Sequence, residues 1–323
     1  ANVGPTGGEF LDTSLKPPET ASQDVAETVS NGEKRQKGFS PVVSKLANQH
    51  GVDLNTLTGT GLDGRVTKKD VLTAVEYSRR DEYPKLSGED RLVEPTAIRK
   101  MISNHMVKSM SEIPHAWSAV EVDVTGMVEW RTLNRLSFEQ QYGVGLTYLP
   151  ITVYVVAAAL MSNEILNSTW LDEKIVIKGA INIGVAVAAS EGLIVPVIHR
   201  ANELSIVDIA RTLDGVISRA REGSTTLDDV QGGTFTLNNT GALGSIWGGA
   251  IVNHPQAAIL TTEAIVKRPV VMQGNGEDVV TVRSMMNICL SFDHRIIDGA
   301  EASKFLQGVK LGLEAIDGAS EFQ

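Results

Sequence analysis

The sequence predicts an α+β chain in two folded parts. A small all-α unit of two helices is expected over residues 38–78, and a larger domain, a mixed sheet flanked by helices, over 93–323. Three observations carry this. Residues 39–78 hold two short helical patterns around a turn-rich loop. Residues 93–323 hold helical patterns and apolar strand-like runs in an irregular order, without the βαβ alternation of a doubly wound sheet. Residues 1–37, rich in Gly, Pro, Ser, Thr and acids, show no sustained period and too little apolar surface to offset their ordering entropy. They are expected to be a linker, and residues 79–92, with DEYPKLSGED, a second one.

The elements follow in order. In SPVVSKLANQHG, Ser40 can cap a helix, Pro41 suits its first turn and Gly51 stops it. Val42 or Val43, Leu46 and His50 fall near one face. VDLNTLTGTGLDGR reads as a structured loop. Thr67 then caps KKDVLTAVEYSRR, with Asp70 three residues on as a box-like signal. Such a unit, about forty residues long, is near the lower limit for independent folding. In the larger domain, helices are predicted over 94–111, 124–141, 148–166 and 204–222, with a last one beginning near Ala300. Strands are predicted over 174–188, 192–198, 234–239, 257–266 and 279–292.

Composition narrows the function. A formal net charge of −10 argues against general binding to nucleic acid or an anionic membrane surface. A single cysteine, Cys289, allows no intramolecular disulfide framework and no Cys-based zinc site, and no histidine pair has zinc spacing. Its apolar run, NICLSF, makes it filler in a buried strand. No long apolar run spans a membrane and no signal-peptide pattern opens the chain, so the expected setting is soluble and cytoplasmic in a bacterium, or the mitochondrial matrix in a eukaryote.

Residues 59–64, GTGLDG, spell the G-x-G-x-x-G of a dinucleotide-binding turn. That turn needs a strand before it and a parallel strand after its helix. Here a helix and loop precede it and a polar segment follows, so NAD is not expected. The glycines serve instead a tight loop between two helices. The stretch SPVVSKLANQHGVDLNTLTGTGLDGRVTKKDVLTAV closely resembles the peripheral subunit-binding domain of 2-oxo acid dehydrogenase complexes. The resemblance implies that residues 38–78 tether the E1 decarboxylase or the E3 dihydrolipoamide dehydrogenase, with Lys45 and Arg65 as partner contacts. Ser44 and Asn48 stand where the family often has basic residues. Ordinary solvated charge is the plainer reading of Lys45 and Arg65.

The strongest chemical signal is SFDHRIIDGAEA, residues 291–302. Acyl transfer between thiols needs a thiolate, yet a thiol with a pKa of about 8.5 supplies little of it at neutral pH. A neutral imidazole can take the proton as the sulfur attacks. Spacing alone leaves two readings of His294: such a base, or a structural residue ending a strand. The segment resembles the D-H-R-x-x-D-G motif of dihydrolipoamide acyltransferases, the E2 components of these complexes, and of the related chloramphenicol acetyltransferases. AIRKMISNHM, EIPHAW, LIVPVI, GGTFTLNNTGALGS and IVNHPQAAIL extend the likeness over nearly all of 91–323. It implies a chloramphenicol acetyltransferase-type α/β sandwich with His294 as general base. Asp298 then organises the site, with Arg99 as its ionic partner; a turn aspartate before Gly299 is the plainer alternative. The oxyanion donor is Ser or Thr in the family's F-T-[IL]-[ST]-N-x-G segment, and Asn238 stands at that position here. Asn239, Thr240 and the backbone remain alternatives.

The resemblance further implies coenzyme A and a lipoyl group as the two thiol carriers, a homotrimer with its sites between subunits, and a hollow cage of trimers. A lipoyl domain, with its D-K-[AV] turn, is not found in the sequence, so the lipoyl group is expected on a domain outside it. FTLNNTGALGS, HPQAAIL and VKRPVV are most like the branched-chain type, which implies 2-methylpropanoyl transfer. Acetyl or succinyl transfer is the runner-up, and a non-catalytic scaffold that only recruits partners is the alternative from another class.

Overall fold

The computed structural model describes residues 39–81, 88–189, 192–274, 276–317 and 320. The predicted linker over 1–37 and residues 82–87 of the second lie outside these. The chain divides into two units, Ala1–Leu92 and Val93–Gln323.

In the first unit, α1 spans Pro41–His50 and α2 spans Lys68–Asp81, one residue longer than the predicted KKDVLTAVEYSRR. Ser40 caps α1 by accepting from the Val43 N–H, and Gly51 ends it at φ +65°. Val43 and Ala47 of α1, Val66 just before α2 and Val71 of α2 form the core. Val42 and His50 point outward, so the buried stripe is narrower than the sequence pattern suggested.

The GTGLDG loop is built by close backbone approach. A Cβ at Gly59 would lie 2.3 Å from the Arg65 carbonyl carbon, and one at Gly61 2.8 Å from the Arg65 oxygen. Gly64 takes φ +71°, which L side chains rarely adopt. Asp70 locks this loop to α2. Its carboxylate accepts from the Thr60 and Thr67 N–H groups (3.0 and 2.8 Å) and from both threonine hydroxyls (2.6 and 2.9 Å). These donors, Thr60 foremost, hold the Asp70 carboxyl well below the usual carboxylate range.

The second unit begins with α3 (Ala97–Glu112) and β1 (His115–Asp123), then α4 (Thr125–Tyr142) and α5 (Tyr148–Met161). Short strands β2 (Ser168–Leu171), β3 (Lys174–Ile177), β4 (Ile183–Val185), β5 (Val187–Ala189), β6 (Gly192–Ile194) and β7 (Val197–Ile198) precede α6 (Ile206–Glu222). Then come β8 (Phe235–Asn239), β9 (Ala258–Thr262), β10 (Val266–Gly274), β11 (Glu277–Asp293) and α7 (Gly299–Glu314). The main sheet has the order β1-β11-β9-β8-β4-β7, with β10 paired to the first half of β11. Pairs β4–β8 and β8–β9 are parallel and the others antiparallel, so the sheet is mixed, as expected.

Several sequence expectations changed: 192–198 is two strands, β6 and β7, the helix predicted over 148–166 ends at Met161, the strand predicted over 257–266 ends at Thr262, and β2 and β10 were not singled out. The apolar run 174–188 is three strands, because tertiary bonds take the backbone between them. Asn182 donates from its N–H to Thr234 Oγ1 and from Nδ2 to the Gly232 carbonyl, while its Oδ1 accepts from the Arg200 N–H. Strand β1 was not singled out at all. It runs along the edge, and only Val122 is fully buried in it.

One face of the sheet carries the core. Leu237, Leu260 and Leu290 are fully buried and lie level with one another across β8, β9 and β11. They share a hydrophobic cluster with Ile151, Val156 and Leu160 of α5, Ile206 and Ile209 of α6, and Phe305 and Val309 of α7.

Candidate active site

Strand residues alternate between the two faces of a sheet. The face opposite the three leucines therefore carries Asn238, Thr261, Cys289 and Ala119, level with one another across β8, β9, β11 and β1. One step along, the same face carries Thr236, Ile259, Ser291 and Trp117. It is a largely polar surface on an otherwise apolar sheet.

His294 is the first residue past β11, and its ring is exposed beside Phe292, 5.8 Å between centroids. Its turn is held from several directions. The His294 N–H donates to the Pro114 carbonyl (3.0 Å), and the Ile296 and Ile297 N–H groups donate to the Asp293 carbonyl. Asp293, only 2% exposed, accepts from Arg295 through the backbone N–H, Nε and Nη2. The Arg295 guanidinium also lies over the Trp170 ring, 5.2 Å from its centroid. Asp293 pushes the Arg295 pKa further up. Sequence reasoning missed this ion pair, although its two members flank His294 directly in D-H-R.

Asp298 is instead a helix cap. Its Oδ1 accepts from the Ala300 and Glu301 N–H groups (2.8 and 3.1 Å), and the Asp298 N–H donates back to Glu301 Oε2, a reciprocal capping box. Arg99 lies exposed in the first turn of α3, and among the described residues no ion pair joins it to Asp298. The expected Asp298–Arg99 pair is thus absent within one protomer. The carboxylate is already engaged by the helix N-terminus, a partner that spacing does not show.

Of the three candidate oxyanion donors, two have their oxygens committed. Asn239 Oδ1 accepts from the Ala242 N–H, and Thr240 Oγ1 donates to Glu263 Oε2 (2.8 Å). Asn238, half-buried on the polar face, makes no such side-chain bond among the described residues.

The register separates the two predicted catalytic residues. Asn238 is level with Cys289, whereas His294 lies past Asp293 on a strand two places away. Five residues along the chain and two strand spacings amount to roughly 19 Å. The sheet between them is covered. Ile113, Val252 and Ile259 form a buried cluster, with Ser291 also buried. His115 staples that cover down: its Nδ1 lies 2.8 Å from the Ile113 carbonyl, and its Nε2 accepts from the Val252 N–H (3.0 Å). That makes His115 structural. No single substrate carbonyl can touch both His294 and Asn238 of one protomer.

Two further histidines are held by side-chain partners. His254 Nε2 lies 3.0 Å from Glu112, and His105 Nε2 lies 2.9 Å from Asn253 Oδ1; both line a groove of about 860 Å³ beside α3. Burial holds the His254 imidazole below its usual value and pushes the Cys289 thiol up, which makes that thiol a poor nucleophile. Among the described residues, no group of three or more His, Cys, Asp or Glu is placed to hold a metal ion. In the first unit, Lys45 on α1 and Arg65 at the loop end are exposed, with no ion pair among the described residues.

The domain is thus a mixed sheet backed by helices, with a histidine presented on a braced turn beyond a central strand. A small helical unit of the docking kind precedes it in the chain. A family model described as 2-oxoacid dehydrogenases acyltransferase (catalytic domain) matches residues 87–319, and one described as e3 binding domain matches residues 39–72. The chain belongs to the 2-oxoacid dehydrogenase acyltransferase family. It is 42% identical, over 93% of its length and 76% of the relative's, to the lipoamide acyltransferase component of the branched-chain alpha-keto acid dehydrogenase complex of Bacillus subtilis. A crystal structure from Listeria monocytogenes, described as a probable dihydrolipoamide acetyltransferase, superposes with a TM-score of 0.70 at 46% identity. It covers 73% of this chain and 99% of that one. A dihydrolipoamide acetyltransferase from Azotobacter vinelandii, studied for the role of a serine, a histidine and an asparagine in its catalytic mechanism, superposes with a TM-score of 0.68 at 28% identity. It covers 72% of this chain and 97% of that one.

Proposed function

We propose that this chain transfers an acyl group between dihydrolipoamide and coenzyme A, at sites formed between two protomers of a trimer. The observation that carries the reading is the braced presentation of His294 on the Asp293–Arg295 turn. In the reaction His294 takes the proton of the attacking thiol while its sulfur bonds to the thioester carbonyl carbon. The carbonyl electrons move onto oxygen, where the Asn238 amide of the adjacent protomer donates a hydrogen bond. Collapse expels the other sulfur, which takes the proton back from His294. Asp298, four residues after His294, supports the site by fixing where α7 begins. In the Azotobacter enzyme, the histidine and asparagine under study are also four residues apart. Trimers build a larger cage, and Lys45 and Arg65 contact the E1 or E3 enzyme.

The acyl group is proposed to be branched, 2-methylpropanoyl, on the sequence likeness to the Bacillus component. Acetyl transfer is the second reading, favoured by the Listeria structure's description. One methylene in an apolar pocket is worth only about 1–3 kcal/mol, so few substitutions separate the two. Values of kcat/KM with isobutyryl-, isovaleryl-, acetyl- and succinyl-CoA against dihydrolipoamide decide it; a clear preference for acetyl- or succinyl-CoA overturns the branched-chain reading. His294→Ala should keep the assembly intact and lower turnover by about 10²–10⁴-fold. Unchanged turnover would refute the general-base assignment, while an unmodified assembly with no turnover would leave a non-catalytic scaffold as the better reading.

A further inference from the structure

Glu263 is a carboxylate the reaction does not use, and it is only 2% exposed. It follows β9, and its N–H donates to the Asn287 carbonyl. No cation pairs with it among the described residues; two threonine hydroxyls hold it instead. Thr261 Oγ1 donates to Oε1 (2.7 Å) and Thr240 Oγ1 to Oε2 (2.8 Å). Both threonines touch the surroundings of Asn238. Thr261 is its register partner on β9, and Thr240 is two residues further along its own chain. The backbone repeats the clamp: the Ala264 N–H donates to the Ser245 carbonyl (2.7 Å), and a Cβ at Gly241 would lie 2.2 Å from the Glu263 carbonyl carbon. The turn after Asn238 is therefore pressed against residues 263–264 at side-chain and backbone level.

Burying a carboxylate without a cation is costly unless its hydrogen bonds are made. Two short bonds to one local turn are a costly way to add stability, but an effective way to fix geometry. We propose that Glu263 is a positioning residue for acyl transfer: by joining Thr240 to Thr261 it sets the direction in which Asn238 donates to the oxyanion. The inference rests on the assignment of Asn238 as that donor. A donor displaced by about 1 Å loses on the order of 100-fold in rate.

Thr240→Val keeps the side-chain shape and removes the hydroxyl, while Glu263→Ala removes both bonds and Glu263→Gln keeps a hydrogen-bonding side chain of the same size. In the assembled full-length chain, Thr240→Val should lower kcat by roughly 10- to 100-fold, with KM for acyl-CoA and dihydrolipoamide little changed. Glu263→Ala should do at least as much, and Glu263→Gln should recover most of the loss. The same substitutions are then placed in an Asn238→Ala background, where they should cost less than threefold further, because their target is gone. If Asn238→Ala itself leaves kcat unchanged, the donor assignment fails. If Asn238→Ala lowers kcat but Thr240→Val does not, or its loss is undiminished in the Asn238→Ala background, Glu263 is structural only and the positioning role is refuted. Should Glu263→Ala fail to assemble, the Thr240→Val pair of measurements still decides.

Discussion

The separation of His294 from Asn238 yields a complementation experiment. Within one protomer the two lie roughly 19 Å apart, across a face covered by Ile113, Val252 and Ile259. The Asn238 side chain stands on the sheet face, not along the strand towards His294. With the roles proposed for them, a working site takes His294 from one chain and Asn238 from another. The perturbation is a pair of chains, His294→Ala and Asn238→Ala, each inactive alone. The first loses about 10²–10⁴-fold by removal of a general base and the second about 10²–10³-fold by removal of an oxyanion donor. Co-expressed at equal levels with different affinity tags and isolated as mixed assemblies, they combine at random across head-to-tail interfaces. A site is intact when its histidine comes from an Asn238→Ala chain and its asparagine from a His294→Ala chain. That holds for about one quarter of sites. Mixed assemblies should therefore turn over at about 25% of the unmodified rate, at least tenfold above either parent. If both residues served one site within a chain, no mixed site would be complete. Activity no higher than the mean of the two parents refutes the reasoning, provided that both tags are recovered together.

Other predictions follow from the same geometry. Arg295→Ala leaves Asp293 buried without its partner; unfolding should be easier by roughly 2–3 kcal/mol, less than for a fully buried pair because Arg295 is partly exposed. The check is denaturant unfolding, and an unchanged midpoint contradicts the bracing role. Arg65→Glu should weaken capture of an E1 or E3 partner by about tenfold and flatten its salt dependence, read by titration against the isolated partner; equal affinity returns Arg65 to solvated charge. Asp70 is depressed in the folded state, so its contribution is present above its unfolded pKa and is lost as pH falls towards the folded value. Protection of the α1 and α2 amides against exchange, taken relative to the slower intrinsic exchange in acid, should therefore fall below about pH 4, the ordinary range of a free aspartate. In Asp70→Asn this acid sensitivity should be weaker; a pH response identical to the parent's removes Asp70 as its source.

The local parts of this structure were legible because they depend on neighbours in sequence. Ser40, Pro41 and Gly51 bound α1 through backbone bonds within a few residues. The glycines of GTGLDG form a loop between helices because the strands of a nucleotide turn were visibly missing. His294 was marked by its motif and resemblance, which report chemistry and lineage. What sequence could not fix were relations between distant segments. The break of 174–188 into three strands arises from bonds made by Asn182 to Thr234, Gly232 and Arg200, and the partner of Asp293 became apparent only in the folded turn. Spacing offered Arg99 to Asp298, but the helix N-terminus, local yet unmarked in that reading, took the carboxylate. Hydrophobic period determined which residues face the core; sheet register, set by pairing across the whole domain, decided that Asn238 and His294 stand apart on a covered face. The sequence alone therefore marked the family and a candidate base, His294, while the tertiary structure decided how far that histidine stands from Asn238 within one chain, because strand register is set by pairing between distant segments.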